Sequence, residues 1–303
     1  MQRVKAETII AKLLRIISPP ISGGAGGGLL SPPISGGAGG GPFFFFLLFS
    51  LSSLAQDTLI VSPRLQTTHV NLFGAGWANT YDTYLSPLEY SGWNIAYQHE
   101  TMRQTHWRNI TTQGKWRIHA SRTKNRAQNH SAWGARLSYQ HAWHYNWHVN
   151  RFTLRAGLGV KGDIGGLYVS HGGNNPAQGY ASLALIASVA AECPFTLFNR
   201  PFCLSTQLDA PWLGMMFSPN YLQPYYDLFT KGHYNHNIVC SWQGNCPTLH
   251  GQLMLDIPVC SQTLRLGYAF DFIQSTPNHL RQHTYLHTFM LGYIKRFAII
   301  KRK

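Results

Sequence analysis

The sequence predicts an all-β fold, a transmembrane antiparallel up-and-down β-barrel of about 10 strands, with 8 or 12 as the alternatives. Three observations predict it. Apolar and polar residues alternate with a period of two, the alternating segments are long, and the polar faces carry Arg, Lys, Asp and Gly rather than a uniformly solvated set. A globular strand usually runs about 5–6 residues, whereas a barrel strand needs about 9–11 to cross a bilayer. A secreted sandwich is the competing fold, and it explains alternation better than it explains length.

The candidate strands, in order, are 68–77, 91–104, 109–122, 131–147, 151–165, 179–192, 202–213, 248–258, 262–274 and 284–297. The clearest is 264–272, where Leu264, Leu266, Tyr268, Phe270 and Phe272 alternate with Arg265, Gly267, Ala269 and Asp271. In 152–163, Phe152, Leu154, Ala156, Leu158 and Val160 alternate with Thr153, Arg155, Gly157, Gly159, Lys161 and Asp163. Segment 249–257 sets Leu249, Leu253, Leu255 and Ile257 against His250, Gln252, Met254 and Asp256. Ten strands satisfy the even count of single-chain barrels. Short connections at 105–108, 148–150, 193–201 and 259–261 then share the periplasmic end, and longer ones at 78–90, 123–130, 166–178, 214–247 and 275–283 the outer end. A strand within NIVCSW (237–242) would break the parity.

The segment SAWGARLSYQHAWHYNWH (131–148) is the sharpest test of the backbone. On a helix, His141, His144 and His148 would share a face and suggest a metal site. On a strand, His141 parts from the other two, and His144 and His148 stand about 13 Å apart. The strand reading leaves no metal site and no cofactor. It turns Trp133, Trp143, Tyr145 and Trp147 toward lipid, and Tyr285 and Phe297 do the same in the last strand, as an interfacial girdle.

Composition agrees. Charged residues make up 12% and aromatics 13%, with 29 glycines, a profile of strands and turns rather than a charged helical protein. The net charge of +14 suits an anionic membrane or glycolipid, and no nucleic-acid module accompanies it. Five cysteines form no CxxC pair, and their odd number excludes a complete disulfide framework. Cys193 is expected outward and Cys203 inward, which disfavours a bridge. GAG-W (74–77) and GGNNP (172–176) read as turn or strand glycines, not phosphate loops.

Residues 1–55 read as a signal and targeting region: a basic start, SPPISGGAGGG at 18–28 repeated at 31–41, then FFFFLLFSLSSLAQ with a cut expected after Ala55. A tandem duplication or an upstream start accounts for its length. Residues 56–67 form a short N-terminal segment, 68–297 the barrel and 298–303 a basic tail. The expected location is the outer membrane of a Gram-negative bacterium, with membrane lipid, lipopolysaccharide and the barrel-assembly machinery as partners.

The motifs YDTYLSPLEYSG (81–92), ETMRQTHW (100–107), HAWHYNWH (141–148), GNNPAQ (173–178), MMFSPNY (215–221) and HTYLHTFMLGYIKRF (283–297) resemble a family of uncharacterised Gram-negative outer-membrane proteins known as a domain of unknown function. The resemblance implies an outer-membrane barrel and no activity.

Three functions compete. His119 and Ser121 share a strand face, a pattern similar to outer-membrane phospholipase A and lipid A deacylases, and a plausible register sets Asn94 opposite His119 as the orienting group. Lys115 and Arg117 on that same face favour luminal hydrogen bonding over catalysis. Arg122, Lys124 and Arg126 cluster in an outer loop, where guanidinium groups pair with lipopolysaccharide phosphates. A small-solute channel is the third, but a barrel of this size is filled by side chains, and Arg136, Arg155, Lys161, Asp163, Glu192, Asp209, Arg265 and Asp271 are expected to form a satisfied polar core.

Overall fold

The computed structural model describes residues 66–105, 107, 109–125, 130–170, 176–259 and 262–298. The signal region, nearly all of 56–67, the tail past 298, Arg126, Cys260 and most of GGNNP lie outside the described residues. The strands are β1 (Gln66–Asp82), β2 (Ser86–Gln104), β3 (Ile110–Lys124), β4 (Ser131–Val149), β5 (Phe152–Val169), β6 (Ala177–Leu197), β7 (Arg200–Phe217), β8 (Ile238–Trp242), β9 (Thr248–Val259), β10 (Gln262–Ser275) and β11 (Gln282–Ala298).

Ten of them form a closed antiparallel barrel. β1 to β7 pair in sequence, then β7 with β9, β9 with β10 and β10 with β11. β11 returns to β1 in unbroken register from Gln66↔Ala298 to Asp82↔Gln282. Closure satisfies the wall's backbone groups internally, which hydrocarbon demands.

NIVCSW does contain a strand, but it adds nothing to the count of the wall. β9 begins only at Thr248 and covers β7 from Cys203 to Asp209. β8 covers the upper part of β7, Leu213↔Trp242 to Phe217↔Ile238, which would otherwise be an open edge. The turn after β8 bridges to β10, with Gln274 N–H donating to Pro247 O and Thr276 N–H to Asn245 O.

The strands are longer than the alternation suggested, at 12–21 residues in the wall. The expected outer loop 78–90 is a turn of Thr83 to Leu85, and the expected periplasmic turn 193–201 is a two-residue connection, Phe198 and Asn199. Both of its residues have positive φ, 49° and 59°, the type I′ geometry whose twist matches a hairpin.

The faces fall as expected. In β4 the side chains of Ala132, Gln140, Ala142, His144 and Asn146 are buried, while Trp133, Leu137, Tyr139, Trp143, Tyr145 and Trp147 are exposed on the outer wall. Apolar exposure of this extent would aggregate a soluble protein and suits lipid. The lumen departs from the expectation of a purely polar core. Val70, Leu72, Met254, Ala269, Met290 and Ile294 form an apolar cluster inside the barrel on the β9–β10–β11–β1 wall, and Tyr90, Ala132, Leu167 and Val169 form a second near the outer end.

Candidate functional site

The polar half of the lumen is built from inward positions of β3, β5, β7, β9 and β10. Lys115 Nζ donates to Asp209 Oδ2 across the barrel at 3.0 Å, and Arg117 donates to Asp271 Oδ1 at 2.5 Å. Arg117 also donates twice to Gln98 Oε1, at 3.0 and 2.8 Å. Lys161 Nζ donates to His250 Nε2 at 2.8 Å, and His250 Nδ1 donates to Asp271 at 2.6 Å, so the imidazole relays between them as the Nδ1–H tautomer. Gln113 and Gln207 join β3 to β7, and Gln98 donates to Gln252 at 3.0 Å, joining β2 to β9. Arg265 grips Asp256 with two bonds, and Arg155 pairs with Glu192 at 2.6 Å. The Lys115–Asp209, Arg117–Asp271, Lys161–His250, Gln113–Gln207 and Gln98–Gln252 contacts link strands that are not neighbours, so they cross the lumen, while the others line its wall.

The luminal face carries the cations Lys115, Arg117, Arg136, Arg155, Lys161 and Arg265 and the carboxylates Glu100, Asp163, Glu192, Asp209, Asp256 and Asp271, with Asp82 on the same face near the outer end. The excess positive charge therefore sits outside it. A void of about 390 Å³, counting space open to solvent, remains against β3, β4 and β5, lined among others by Arg117, His119, Arg136, Gln140 and Asp163.

The proposed catalytic trio is not assembled. His119 and Ser121 share the luminal face and are both buried, but no hydrogen bond joins them among the described residues. Asn94 pairs with Ser121, and His119 faces Ala96. The actual register is slipped by two residues, a shift that keeps every face and moves every partner. Asn94 Nδ2 donates instead to Thr288 Oγ1 at 2.9 Å. Nothing orients the His119 ring toward Ser121.

The basic trio is also placed differently. Arg122 and Lys124 belong to the end of β3, not to a loop, and point outward; Arg126 lies outside the described residues. The Arg122 guanidinium stands 4.7 Å from the centre of the Trp133 ring, a cation–π contact at the outer end of the wall. Trp143, Tyr145 and Trp147 are exposed toward the opposite end, Phe297 is exposed at that end of β11, and Tyr285 packs on the outer face against Phe272 and His283. His141 and His144 fall on opposite faces, with His144 bonded to Ser188 Oγ at 2.8 Å. Cys193 faces Leu204, and Cys203 faces Pro194; both are free thiols.

The long outer connection 214–247, whose Tyr-rich NYLQPYYDLF suits either recognition or a cap, is built as a cap. Residues 218–237 carry the one-turn helix α1 (Tyr225–Phe229), with Leu228 fully buried. Three ties hold the segment. Tyr84 OH donates to Gln223 O at 2.8 Å, Gly179 N–H donates to Tyr225 OH at 2.7 Å, and Asn278 Nδ2 donates to His236 O at 2.9 Å. Two of the partners sit on the neighbouring β1–β2 turn and β10–β11 connection, and the third sits on β6, five strands away from β1 around the barrel, so the segment spans the mouth. Tyr221, Leu222, Tyr226, Phe229 and Tyr234 remain exposed on it.

Asp82, above the outward apolar band of β1, anchors this end. It accepts from Tyr180 OH at 2.7 Å and from Tyr84 N–H at 2.9 Å. Burial nonetheless pushes its carboxyl up from 3.8 to about 6. A raised acid stabilises the folded mouth fully below 3.8, and that contribution is lost as pH rises through about 6.

The profile of the family described as "Protein of unknown function (DUF3316)" matches residues 42–303. No curated protein matches the chain. Among solved structures, the outer membrane protease OmpT from Escherichia coli is similar over 80% of this chain and 99% of its own, at 8% identity and a TM-score of 0.44. The β-domain of the Bordetella autotransporter BrkA is similar over 78% and 100%, at 11% identity and 0.37. Ail of Yersinia pestis is similar over 76% and 98%, at 9% identity and 0.28. The barrel assignment rests on this chain's own strand pairing.

Proposed function

The chain belongs to the DUF3316 family, which has no assigned role, and from its geometry we propose a non-conducting, non-enzymatic outer-membrane barrel that presents a capped surface for recognition. In this reading a Gram-negative cell exports the chain by its signal region, and the barrel-assembly machinery inserts it. The short turns face the periplasm and the 218–237 cap faces outward. The observation that carries it is the hydrogen-bonded network crossing the lumen, from Lys115 to Asp209 and from Arg117 to Asp271. A pore would require those pairs to part, and each parting strands a buried charge. The exposed Tyr221, Tyr226, Phe229 and Tyr234 supply rigid amphipathic contact area of the kind recognition surfaces use. In planar bilayers the refolded protein is expected to give no steady conductance; stepwise stable currents from pure monomer would end the proposal.

Lipopolysaccharide contact is a compatible second role, favoured by Arg122 standing over the outward Trp133 at the outer end of the wall. Guanidinium at that level pairs with lipid-borne phosphate. The triple variant Arg122→Ala, Lys124→Ala, Arg126→Ala is expected to bind lipopolysaccharide about ten-fold more weakly, and equal binding would remove this role.

A further inference from the structure

The luminal void has one cation too many. Of the carboxylates lining it, Asp163, Asp209 and Asp271 each stand within 3.0 Å of a partner, namely Lys161, Lys115 and Arg117. Arg136 is the fourth cation, and no carboxylate lies within 4.0 Å of it among the described residues. Asp82, a luminal acid without a salt bridge, is taken up by the Tyr180 hydroxyl; the other such acid is Glu100, which shares the level of Lys115. Arg136 shares the level of His119, four residues farther along β3, about 13 Å at strand rise. The two charges do not meet.

Among the described residues Arg136 also makes no hydrogen bond. Gly165 follows it in the cross-strand row and offers no side chain, so the guanidinium reaches over to lie 5.2 Å from the Tyr180 ring centre. A ring face attracts the charge and leaves the in-plane N–H donors free. Directly opposite, His119 is 8% exposed and has no side-chain hydrogen bond among the described residues, although it lines the void. Gln140 Nε2, also in the void and 4% exposed as a residue, is a second buried donor without an acceptor. Buried donors are normally satisfied. Arg136 and His119 face one another across the strand pair, while Gln140 lies at the level of Lys115. The Asp163 carboxylate, within electrostatic reach of Arg136 and with Oδ1 unbonded, repels anions from its side, which confines the favourable space to the Arg136–His119 row.

We infer that this row binds a small free oxyanion, a phosphate or a carboxylate. The planar fork of Arg136 takes two oxygens, and His119 donates to a third or shares one. The enclosed part of the void is about the size of a water or two, so a small oxyanion would take the place of that water rather than share the space with it. A phosphate carried by a lipid is excluded as the occupant, because ten paired strands separate the void from the bilayer.

The test uses the refolded full chain in detergent micelles and inorganic phosphate, read by phosphorus-31 line broadening. Wild type is expected to broaden the line saturably. Arg136→Gln should weaken binding about ten-fold or more, while Lys295→Gln, which removes the same charge on the exposed outer face of β11, should leave it within about two-fold. If Arg136→Gln does not refold, Arg136→Lys replaces it, and a drop of about five-fold is expected because the charge stays and the fork is lost. Absence of saturable broadening by wild type overturns the site, as does broadening that neither Arg136 variant alters, which would place the ion on outer basic residues.

Discussion

Asp271→Ala is expected to cost the barrel about 3–5 kcal/mol of unfolding free energy, measured by urea titration in detergent or lipid with tryptophan fluorescence. Asp271 is 5% exposed and accepts from both Arg117 and His250. Removing it leaves a guanidinium buried without its carboxylate and breaks the relay from Lys161. The size of the loss comes from the stranded charge rather than from the pair's net worth. The double variant Arg117→Met with Asp271→Leu therefore loses much less than the single one, since both charges leave together. A single variant within about 0.5 kcal/mol of wild type would mean that water already solvates the network.

Leu158→Arg is the second large effect, expected at about 2–4 kcal/mol because a cation on the lipid face is costly near the bilayer midplane. Leu158 is 62% exposed on the outer wall and lies near the middle of the apolar run of β5. Depth makes this diagnostic. Phe152→Arg, at the first residue of the same strand and on the same face, should cost only about 0–1 kcal/mol. Equal costs at the two positions would argue that no hydrocarbon slab surrounds the wall.

The faces of the barrel were legible in the sequence because lipid and lumen impose opposite chemistry at alternate residues. Trp143 and His144, or Leu158 and Gly159, can be assigned from neighbours alone. Register was not legible. A slip of two residues between β2 and β3 preserves every face, so only the turn geometry around 105–109 decides whether Asn94 meets His119 or Ser121. Strand ends were hidden for a related reason. Beyond the hydrocarbon, at Ala78–Asp82 and Ser86–Tyr90, the outer face carries Asn79, Glu89 and Ser91 nearby, and the alternation that marks a membrane strand fades.

Tertiary features left even less trace. Val70–Asn71–Leu72–Phe73 places apolar side chains on both faces, and only the fold reveals that Val70 and Leu72 meet Met254 and Met290 inside. The cap reads locally as a Tyr-rich loop; its role depends on Tyr84 and Asn278, about 140 and 60 residues from the groups they bind. Most of the charged lumen was anticipated, from Arg136 to Asp271, but Glu100 and Asp82 were not, and the lack of a salt bridge at Arg136 follows from the glycine beside it and from the distance to Glu100. Neither is visible without the register.

The central claim is that β4 is a membrane strand with lipid on one face and a packed lumen on the other. The direct measurement is oxygen and nickel-chelate accessibility of nitroxides placed singly from Leu137 to Tyr145, with the five cysteines replaced. The account predicts high oxygen accessibility at 137, 139, 141, 143 and 145 and low accessibility to both reagents at 138, 140, 142 and 144. A period near 3.6, or chelate accessibility at the even positions, would contradict it.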